Sequence, residues 1–166
     1  MEWPPTEPSR FPAHAVTGVD AWPFRMRNDS CELLLLHRSG MSGTPFWQGV
    51  SGWIEPGETP HAAVLRELSE ETGLTAAALY TLDTVFDLYV WERGTVEAIV
   101  PFAVRVTDGV DPVLSDEHDA FRWVTLEDAL RLLPFAPQRQ AARATAEDIA
   151  ADPARAVLLE VPFRNR

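Results

Sequence analysis

Three glutamates on one predicted helix are the residues of this chain best suited to chemistry. Glu67, Glu70 and Glu71 stand at relative positions 0, +3 and +4, so they share an arc of roughly 100° on one helix face. Like charges at this spacing repel one another, and the helix therefore needs something that neutralises them. Carboxylate oxygens are the ligands that Mg2+, Mn2+ and Ca2+ prefer. The spacing therefore predicts a site for divalent cations.

The helix that carries these glutamates has recognisable ends in the sequence. Thr59 is expected to cap its N-terminus, Pro60 fits the first helical position, and Gly73 fits a left-handed C-terminal cap. A buried stripe is predicted opposite the carboxylates, and it consists of Ala62, Leu65, Leu68 and Thr72. The helix is thus expected to bury one side and to present the carboxylates on the other.

A glycine-punctuated loop comes directly before this helix. It runs from Gly52, at the end of a predicted strand, through Gly57 to Glu58. Such a loop lets backbone carbonyls and the Glu58 side chain approach whatever the helix binds. Gly52 and Glu58 are therefore candidate metal ligands together with the three helix glutamates.

The whole segment from Gly52 to Leu74, GWIEPGETPHAAVLRELSEETGL, resembles the signature box of the Nudix (MutT-like) hydrolases at every fixed position. The resemblance implies hydrolysis of a nucleoside diphosphate linked to a further group. It also implies an α/β/α sandwich with a mixed β-sheet, in which the box forms a loop–helix–loop motif. A backbone carbonyl at Ser51 or Gly52 would then complete the ligand set for Mg2+ or Mn2+.

Two further segments resemble the bacterial dihydroneopterin triphosphate and dATP pyrophosphohydrolases. One is the strand 33–38 followed by Phe46-Trp47-Gln48, and the other is 117–123, EHDAFRW, followed by a helix and then 137–141, PQRQA. The resemblance implies metal-dependent hydrolysis of a nucleoside or pterin triphosphate, releasing a monophosphate and pyrophosphate. Hydrolysis of a dinucleoside polyphosphate or nucleotide sugar is an alternative, and the position of Tyr89 keeps the former open. A non-catalytic Nudix-like nucleotide-sensing module is an alternative of another class.

Individual roles can be assigned on the same basis. Arg66 is expected to fix the carboxylates by ion pairing, and Glu67 and Glu70 to serve in catalysis as well as in metal binding. A carboxylate near metal-bound water suits proton abstraction, and the preferred general base is Glu117, because its spacing to Trp123 resembles the late loop of the family. Glu97 is its competitor.

A second group of residues is expected to bind the substrate. Arg38 can hold an outer phosphate by a bidentate contact. Phe46, Trp47 and Phe102 can stack on a base or pterin ring, and Gln48 can hydrogen-bond the edge of that ring. An aromatic residue on a strand also fills a core, so this alternative stays open for each of them.

Composition narrows the class of protein. The net charge of −11 over 166 residues argues against nucleic acid or an anionic membrane surface as the partner, since both favour basic patches. All fourteen Lys and Arg residues are arginines, which excludes Schiff-base chemistry, and the lone Cys31 excludes an internal disulfide. No signal peptide or membrane span is predicted, so we expect a cytoplasmic enzyme that binds a small molecule. Nudix proteins are often dimers, so a homodimer stays open.

The remaining pattern predicts one domain over residues 13–166 after a flexible arm at 1–12. Strands are predicted at 14–26, 31–37, 46–54, 79–91, 96–106 and 121–124. A helix is predicted from Thr125 to 133 and another over 136–151, and the tail at 156–161 is ambiguous between strand and helix.

Overall fold

A computed structural model describes residues 16–39, 43–91 and 94–163, so the predicted arm at 1–12 lies outside the described residues. The strands are β1 (Val16–Arg27), β2 (Ser30–Arg38), β3 (Phe46–Gln48), β4 (Val50–Trp53), β5 (Ala76–Thr81), β6 (Phe86–Val90), β7 (Thr95–Val106) and β8 (His118–Val124). The helices are α1 (Pro60–Thr72), α2 (Leu126–Leu132), α3 (Ala136–Arg143) and α4 (Pro153–Leu159), and a π-helical segment (Ala144–Ala150) extends α3. Within these ranges no helix is long and apolar enough to cross a membrane.

The strands form one mixed sheet in the order β3-β2-β1-β7-β5. In addition, β4 pairs with β1, β6 with β7, and β8 with β2. The β1–β7 pair is parallel and the other strand pairs are antiparallel. The predicted α/β fold with a mixed sheet is therefore confirmed.

Side-chain alternation along β1 separates two buried layers. Val19 and Ala21 belong to the cluster beneath α1, whereas Trp22 and Phe24 belong to the cluster beneath α2, α3, the π-helical segment and α4. Helices thus cover both faces of the sheet, which gives the three-layer α/β/α arrangement.

Two predicted strands prove to be two strands each. The stretch 46–54 breaks at Gly49, because β3 pairs with β2 whereas β4 pairs with β1. A Cβ atom at Gly49 would lie 2.6 Å from the Ala21 carbonyl oxygen, so this close approach requires glycine. The stretch 79–91 also breaks, and β5 and β6 both pair with the longer β7.

The ends of α1 agree with the sequence except at the N-cap. Thr59 has extended backbone geometry, but its side chain makes no capping hydrogen bond; its hydroxyl contacts Nε2 of His61 instead. Pro60 opens the helix. Gly73 ends it with φ 64°, and its N–H donates to the Ser69 carbonyl.

The buried face of α1 differs from the predicted stripe. Leu68 and Thr72 are buried as predicted, but Ala62 and Leu65 are only partly buried. Ala63, Val64 and Glu71 complete the buried face. One of the three predicted metal-binding glutamates therefore faces the sheet, because the rotation of α1 is set by its packing on the sheet.

The structure also refines the predictions for the C-terminal part of the chain. The predicted helix 136–151 exists as α3 and its π-helical extension. The ambiguous tail is helical in α4, and Glu160 then forms an isolated bridge with Tyr80.

Candidate active site

Arg66 lies at the centre of an ionic network in the candidate site. Its guanidinium donates to both carboxylate oxygens of Glu58 at 3.0 and 2.9 Å and to the Trp53 carbonyl at 3.0 Å. It also donates to Glu67 at 2.7 Å and to Glu70 at 3.1 Å. The hydrogen bonds from Arg66 lower the pKa of Glu58, and those contacts in turn raise the pKa of Arg66. The Arg66 guanidinium thus contacts three of the carboxylates that were predicted to bind metal.

Gly52 provides the space that Glu67 occupies. A Cβ atom on Gly52 would lie only 1.9 Å from Oε1 of Glu67. The Glu67 carboxylate therefore packs directly against the backbone of β4. Burial raises the pKa of Glu67, and the Arg66 hydrogen bond opposes that shift.

Glu71 is the most buried of the three helix glutamates. Its residue is 6% exposed, and the Ser51 backbone N–H donates to the carboxylate. Its Oε2 atom is buried without a hydrogen-bond partner. Burial, reinforced by the negative charges of Glu67 and Glu117, raises the pKa of Glu71 to about 8. Such a carboxylate is costly to ionise until a cation or proton neutralises it.

The oxygen donors fit a divalent cation in kind. All of them are carboxylate or carbonyl oxygens. Oε2 of Glu71 is a possible metal ligand that has no hydrogen-bond partner. Within the described ranges, however, no three His, Cys, Asp or Glu side chains converge as a complete ligand set. Arg66 binds Glu67 and the exposed Glu70, whereas Glu71 accepts from the Ser51 amide. The individual ligand assignments stay predictions.

Glu117 reaches the box glutamates from the loop before β8. Its carboxylate pairs with Arg38 at 3.3 Å, and its charge contributes to the raised pKa values of Glu67 and Glu71. The fold therefore brings together one residue from β2, one from a late loop and two from α1. Glu97 is buried on β7, accepts from the Thr95 hydroxyl at 2.7 Å and is not part of the cleft lining described next.

Glu67, Glu71 and Glu117 line a cleft of about 930 Å³. Arg38, Phe46 and Gln48 line it together with Gly52, Glu67 and Glu71. Phe46 packs edge-on against Phe135, with 5.4 Å between the ring centroids. Three of the five residues that were predicted to bind the substrate therefore line this cleft.

Trp47, a fourth of these residues, is not part of the cleft lining. Successive side chains of a strand point to opposite faces, so Trp47 turns away from the cleft that Phe46 and Gln48 line. Its ring lies 4.9 Å from the His37 ring and 4.8 Å from the Arg122 guanidinium carbon. Phe102, also considered for stacking, is a core residue beneath α1.

Tyr89 is 64% exposed on β6 and does not line the cleft, whereas its neighbour Leu88 does.

His118 was not assigned a role from the sequence. Its Nε2 atom lies 3.3 Å from Nε2 of Gln48 and 3.9 Å from Oε2 of Glu71. Burial lowers the pKa of His118, and the nearby charge of Arg38 lowers it further. This imidazole therefore lies beside the buried carboxylate of Glu71. Only its position beside Glu117 could have drawn attention to it.

Asp20 on β1 was missed as well. Its residue is 6% exposed and lines the cleft, and one carboxylate oxygen accepts from the Trp22 indole N–H at 3.1 Å. Burial raises the pKa of Asp20 to about 7. The sequence feature that could have revealed Asp20 is the presence of an acidic residue within the otherwise apolar segment Val19–Phe24.

Comparisons with known proteins agree with this site. Residues 16–146 match the model of the NUDIX domain. The asymmetrical bis(5'-nucleosyl)-tetraphosphatase of Mus musculus is 34% identical over 113 residues, covering 67% of this chain and 76% of that protein. The octanoyltransferase of Myxococcus xanthus is 41% identical over 128 residues, which cover 72% of this chain but only 34% of that protein's length.

Solved structures give the same result. An Ap4A hydrolase of Caenorhabditis elegans in a binary complex superposes with a TM-score of 0.69 at 25% identity, covering 83% of this chain and 100% of that one. The dihydroneopterin triphosphate pyrophosphohydrolase of Escherichia coli superposes with a TM-score of 0.62 at 23% identity, covering 80% and 98%. The family match spans most of the chain and contains the acidic face of α1, so this chain belongs to the NUDIX family and is a Nudix pyrophosphohydrolase.

Proposed function

We propose that this enzyme hydrolyses a dinucleoside polyphosphate unequally, with a divalent cation, and releases a mononucleotide and the longer nucleotide. The observation that carries the proposal is one cleft lined both by the carboxylates of Glu67 and Glu71 and by aromatic and apolar side chains such as Phe46 and Phe86. Anhydride oxygens need the first environment, and a heterocycle needs the second. The names of the mouse relative and the nematode structure support this choice of substrate.

The size of the cleft supports a long substrate. Its volume of about 930 Å³ is near the upper end of the range of roughly 300 to 1,000 Å³ typical of ligand sites. A linear molecule with two nucleosides can place its phosphate chain at the carboxylates and one base in the cleft.

The residues that would hold Mg2+ or Mn2+ are those around α1. Glu67, Glu70, Glu71 and the Gly52 carbonyl offer the oxygen donors, and Glu58 is the outer partner that fixes Arg66. Once bound, such a cation neutralises phosphate oxygens and lowers the pKa of a bound water. Arg66 positions Glu67 and Glu70 for this role through its hydrogen bonds.

Arg38 would bind a substrate phosphate, and Glu117 would act as the general base. Their side chains pair at 3.3 Å. A substrate phosphate is a stronger partner for the guanidinium, so binding would release the Glu117 carboxylate. The released carboxylate could then accept the proton of the attacking water as general base.

Hydrolysis of a nucleoside or pterin triphosphate to a monophosphate and pyrophosphate is the second candidate. It is favoured by Phe46 and Gln48, which line the cleft as the resemblance to that subfamily implied. Both candidates use the same carboxylates and differ in the group beyond the phosphates.

A substrate comparison tests the proposal. The enzyme is incubated with diadenosine tetraphosphate, dATP or dihydroneopterin triphosphate in Mg2+ or Mn2+, and the products are separated by ion-exchange chromatography. The proposal expects ATP and AMP from the first substrate, with a higher kcat/KM than the triphosphates. Preferential release of pyrophosphate from a triphosphate would establish the second candidate instead.

Variants then test the site itself. Glu70→Gln and Glu71→Gln should each lower kcat by about 100-fold or more, since one transition-state interaction of this kind contributes roughly that factor. Glu127→Gln is the matched control, because Glu127 is exposed on α2 and pairs with Arg131. Unchanged turnover in both α1 variants would exclude this face as the catalytic one.

A further inference from the structure

Asp20 has a carboxylate oxygen that no group in the described part of the chain satisfies. Its Oδ2 accepts the Trp22 indole N–H, but its Oδ1 is buried without a hydrogen-bond partner. A buried acceptor without a donor carries a desolvation cost, so it is rare unless a ligand supplies the donor. Asp20 lines the cleft, so a ligand that enters the cleft lies beside this side chain.

Gln138 presents a second acceptor of the same kind. It lies in the first turn of α3, lines the same cleft, and its Oε1 atom is buried without a partner. Asp20 alternates with Val19 and Ala21 and so faces the same side of the sheet as Trp22. The cluster that contains Trp22 also contains residues of α3, so Asp20 and the start of α3 lie on one side of the sheet.

Apolar side chains share the cleft with these two acceptors. Phe86, Ile99, Phe135 and Pro137 line the cleft with them. In such surroundings an unpaired acceptor discriminates strongly between a ligand that offers N–H groups and one that does not. Because α1 packs on the opposite face of the sheet, the two acceptors are suited to the heterocycle and not to the phosphates.

We propose that Asp20 and Gln138 form a recognition site for the amino-bearing edge of the substrate's heterocycle. The donors would be the 6-amino group of an adenine or the 2-amino group and adjacent ring N–H of a guanine or pterin. This inference rests on the proposed function, because it names the group that the same cleft selects. Burial raises the pKa of Asp20 to about 7, and an N–H donor at Oδ1 would stabilise its ionised form.

The substitution Asp20→Asn gives a directed test. Trp22 donates to one side-chain oxygen of Asp20, so the single oxygen of the new amide would be held by the indole. The amide NH2 would then take the place of Oδ1, the oxygen that has no hydrogen-bond partner. Asp20→Asn should therefore turn an acceptor into a donor without changing the size of the side chain.

The experiment compares paired substrates that differ by one amino group. ATP is paired with purine riboside triphosphate and GTP with ITP, in Mg2+, and kcat/KM is measured for each. The wild-type enzyme should favour the amino member of at least one pair by about 10- to 100-fold, the factor expected for one buried hydrogen bond. The pair that shows the preference distinguishes a 6-amino from a 2-amino group.

The variants decide whether Asp20 and Gln138 cause that preference. Asp20→Asn and Gln138→Leu should each reduce the ratio of amino to desamino kcat/KM by about tenfold or more. Gln140→Leu, the same change at an exposed position of α3, should leave the ratio as in the wild type. A wild-type enzyme without preference, or variants that affect both members of a pair equally, would overturn the proposal.

Failure of the proposed function is distinguishable from failure of this inference. If none of the nucleotides is hydrolysed, the same pairs are titrated into the wild-type and variant proteins by calorimetry with Mg2+. A difference in Kd within a pair that Asp20→Asn or Gln138→Leu removes would support the recognition site without any turnover. Equal Kd values within each pair would overturn it.

Discussion

Replacement of Gly52 by alanine tests whether the position of Glu67 is needed for metal binding. The new Cβ atom would lie 1.9 Å from Oε1 and 2.0 Å from Cδ of Glu67, whereas ordinary contacts begin near 3.4 Å. The carboxylate must therefore move by roughly 1.5 Å, the difference between those two distances (3.4 − 1.9). Bonds between Mg2+ and oxygen need near-ideal geometry at about 2.0 to 2.1 Å, so a shift of this size is incompatible with the predicted role of Glu67 as a ligand.

The fold should tolerate this substitution, because the displaced group is the end of a flexible side chain. We expect a melting temperature within a few degrees of the wild type, as for roughly ±0.5 kcal/mol changes away from the core. The kcat/KM value should fall by about 100-fold or more, the cost of a misplacement near 1 Å. Mn2+ affinity, measured by electron paramagnetic resonance, should fall with it.

Gly43→Ala is the control for this test, since its added methyl group would meet nothing within 4 Å. It should match the wild type in melting temperature, Mn2+ affinity and turnover. The reasoning is refuted if Gly52→Ala binds Mn2+ and hydrolyses substrate as well as Gly43→Ala does. Glu67 would then not be required where the structure has it.

Three further outcomes are expected. Arg66→Leu should lower kcat by about 100-fold in steady-state kinetics, because three carboxylates lose the donor that positions them; an effect on KM alone would contradict this. Folded Glu71, with its pKa raised to about 8, keeps a proton that the unfolded chain releases near its ordinary pKa of 4.5. In the metal-free protein, this difference should make the free energy of unfolding fall by up to about 1.4 kcal/mol per pH unit as the pH rises from 4.5 to about 8. Urea titrations of Glu71→Gln should lack this decrease. Leu68→Ala should cost about 2 to 5 kcal/mol in urea unfolding, whereas Leu158→Ala, 83% exposed, should change stability little; equal effects would contradict the assigned core.

The local features of α1 could be predicted because they depend on near neighbours in sequence. Pro60 and Gly73 fix the ends of the helix whatever it packs against. The rotation of the helix could not be predicted in the same way. It depends on which side chains meet the sheet, and this is why Glu71 became a buried residue.

The strand breaks were missed for a related reason. In the sequence, Gly49 looks like an ordinary residue of an apolar stretch. Glycine is required there only because the backbone of Ala21, on another strand, lies so close. Trp47 was assigned to the substrate by its residue type, whereas the alternation of β3 decides its direction. Asp20 could have been noticed as an acid in an apolar strand, but its open oxygen is defined only by the position of Trp22.

The double pairing of β1 has a consequence for how this chain can vary in length. The first part of β1 pairs Val19 with Gly52, and its last part pairs Phe24 with Leu33. One added or deleted residue between these points would shift the two halves against each other by about 3.3 Å and would reverse the faces of every later side chain. Insertions and deletions that preserve catalysis should therefore be confined to the connections outside this strand.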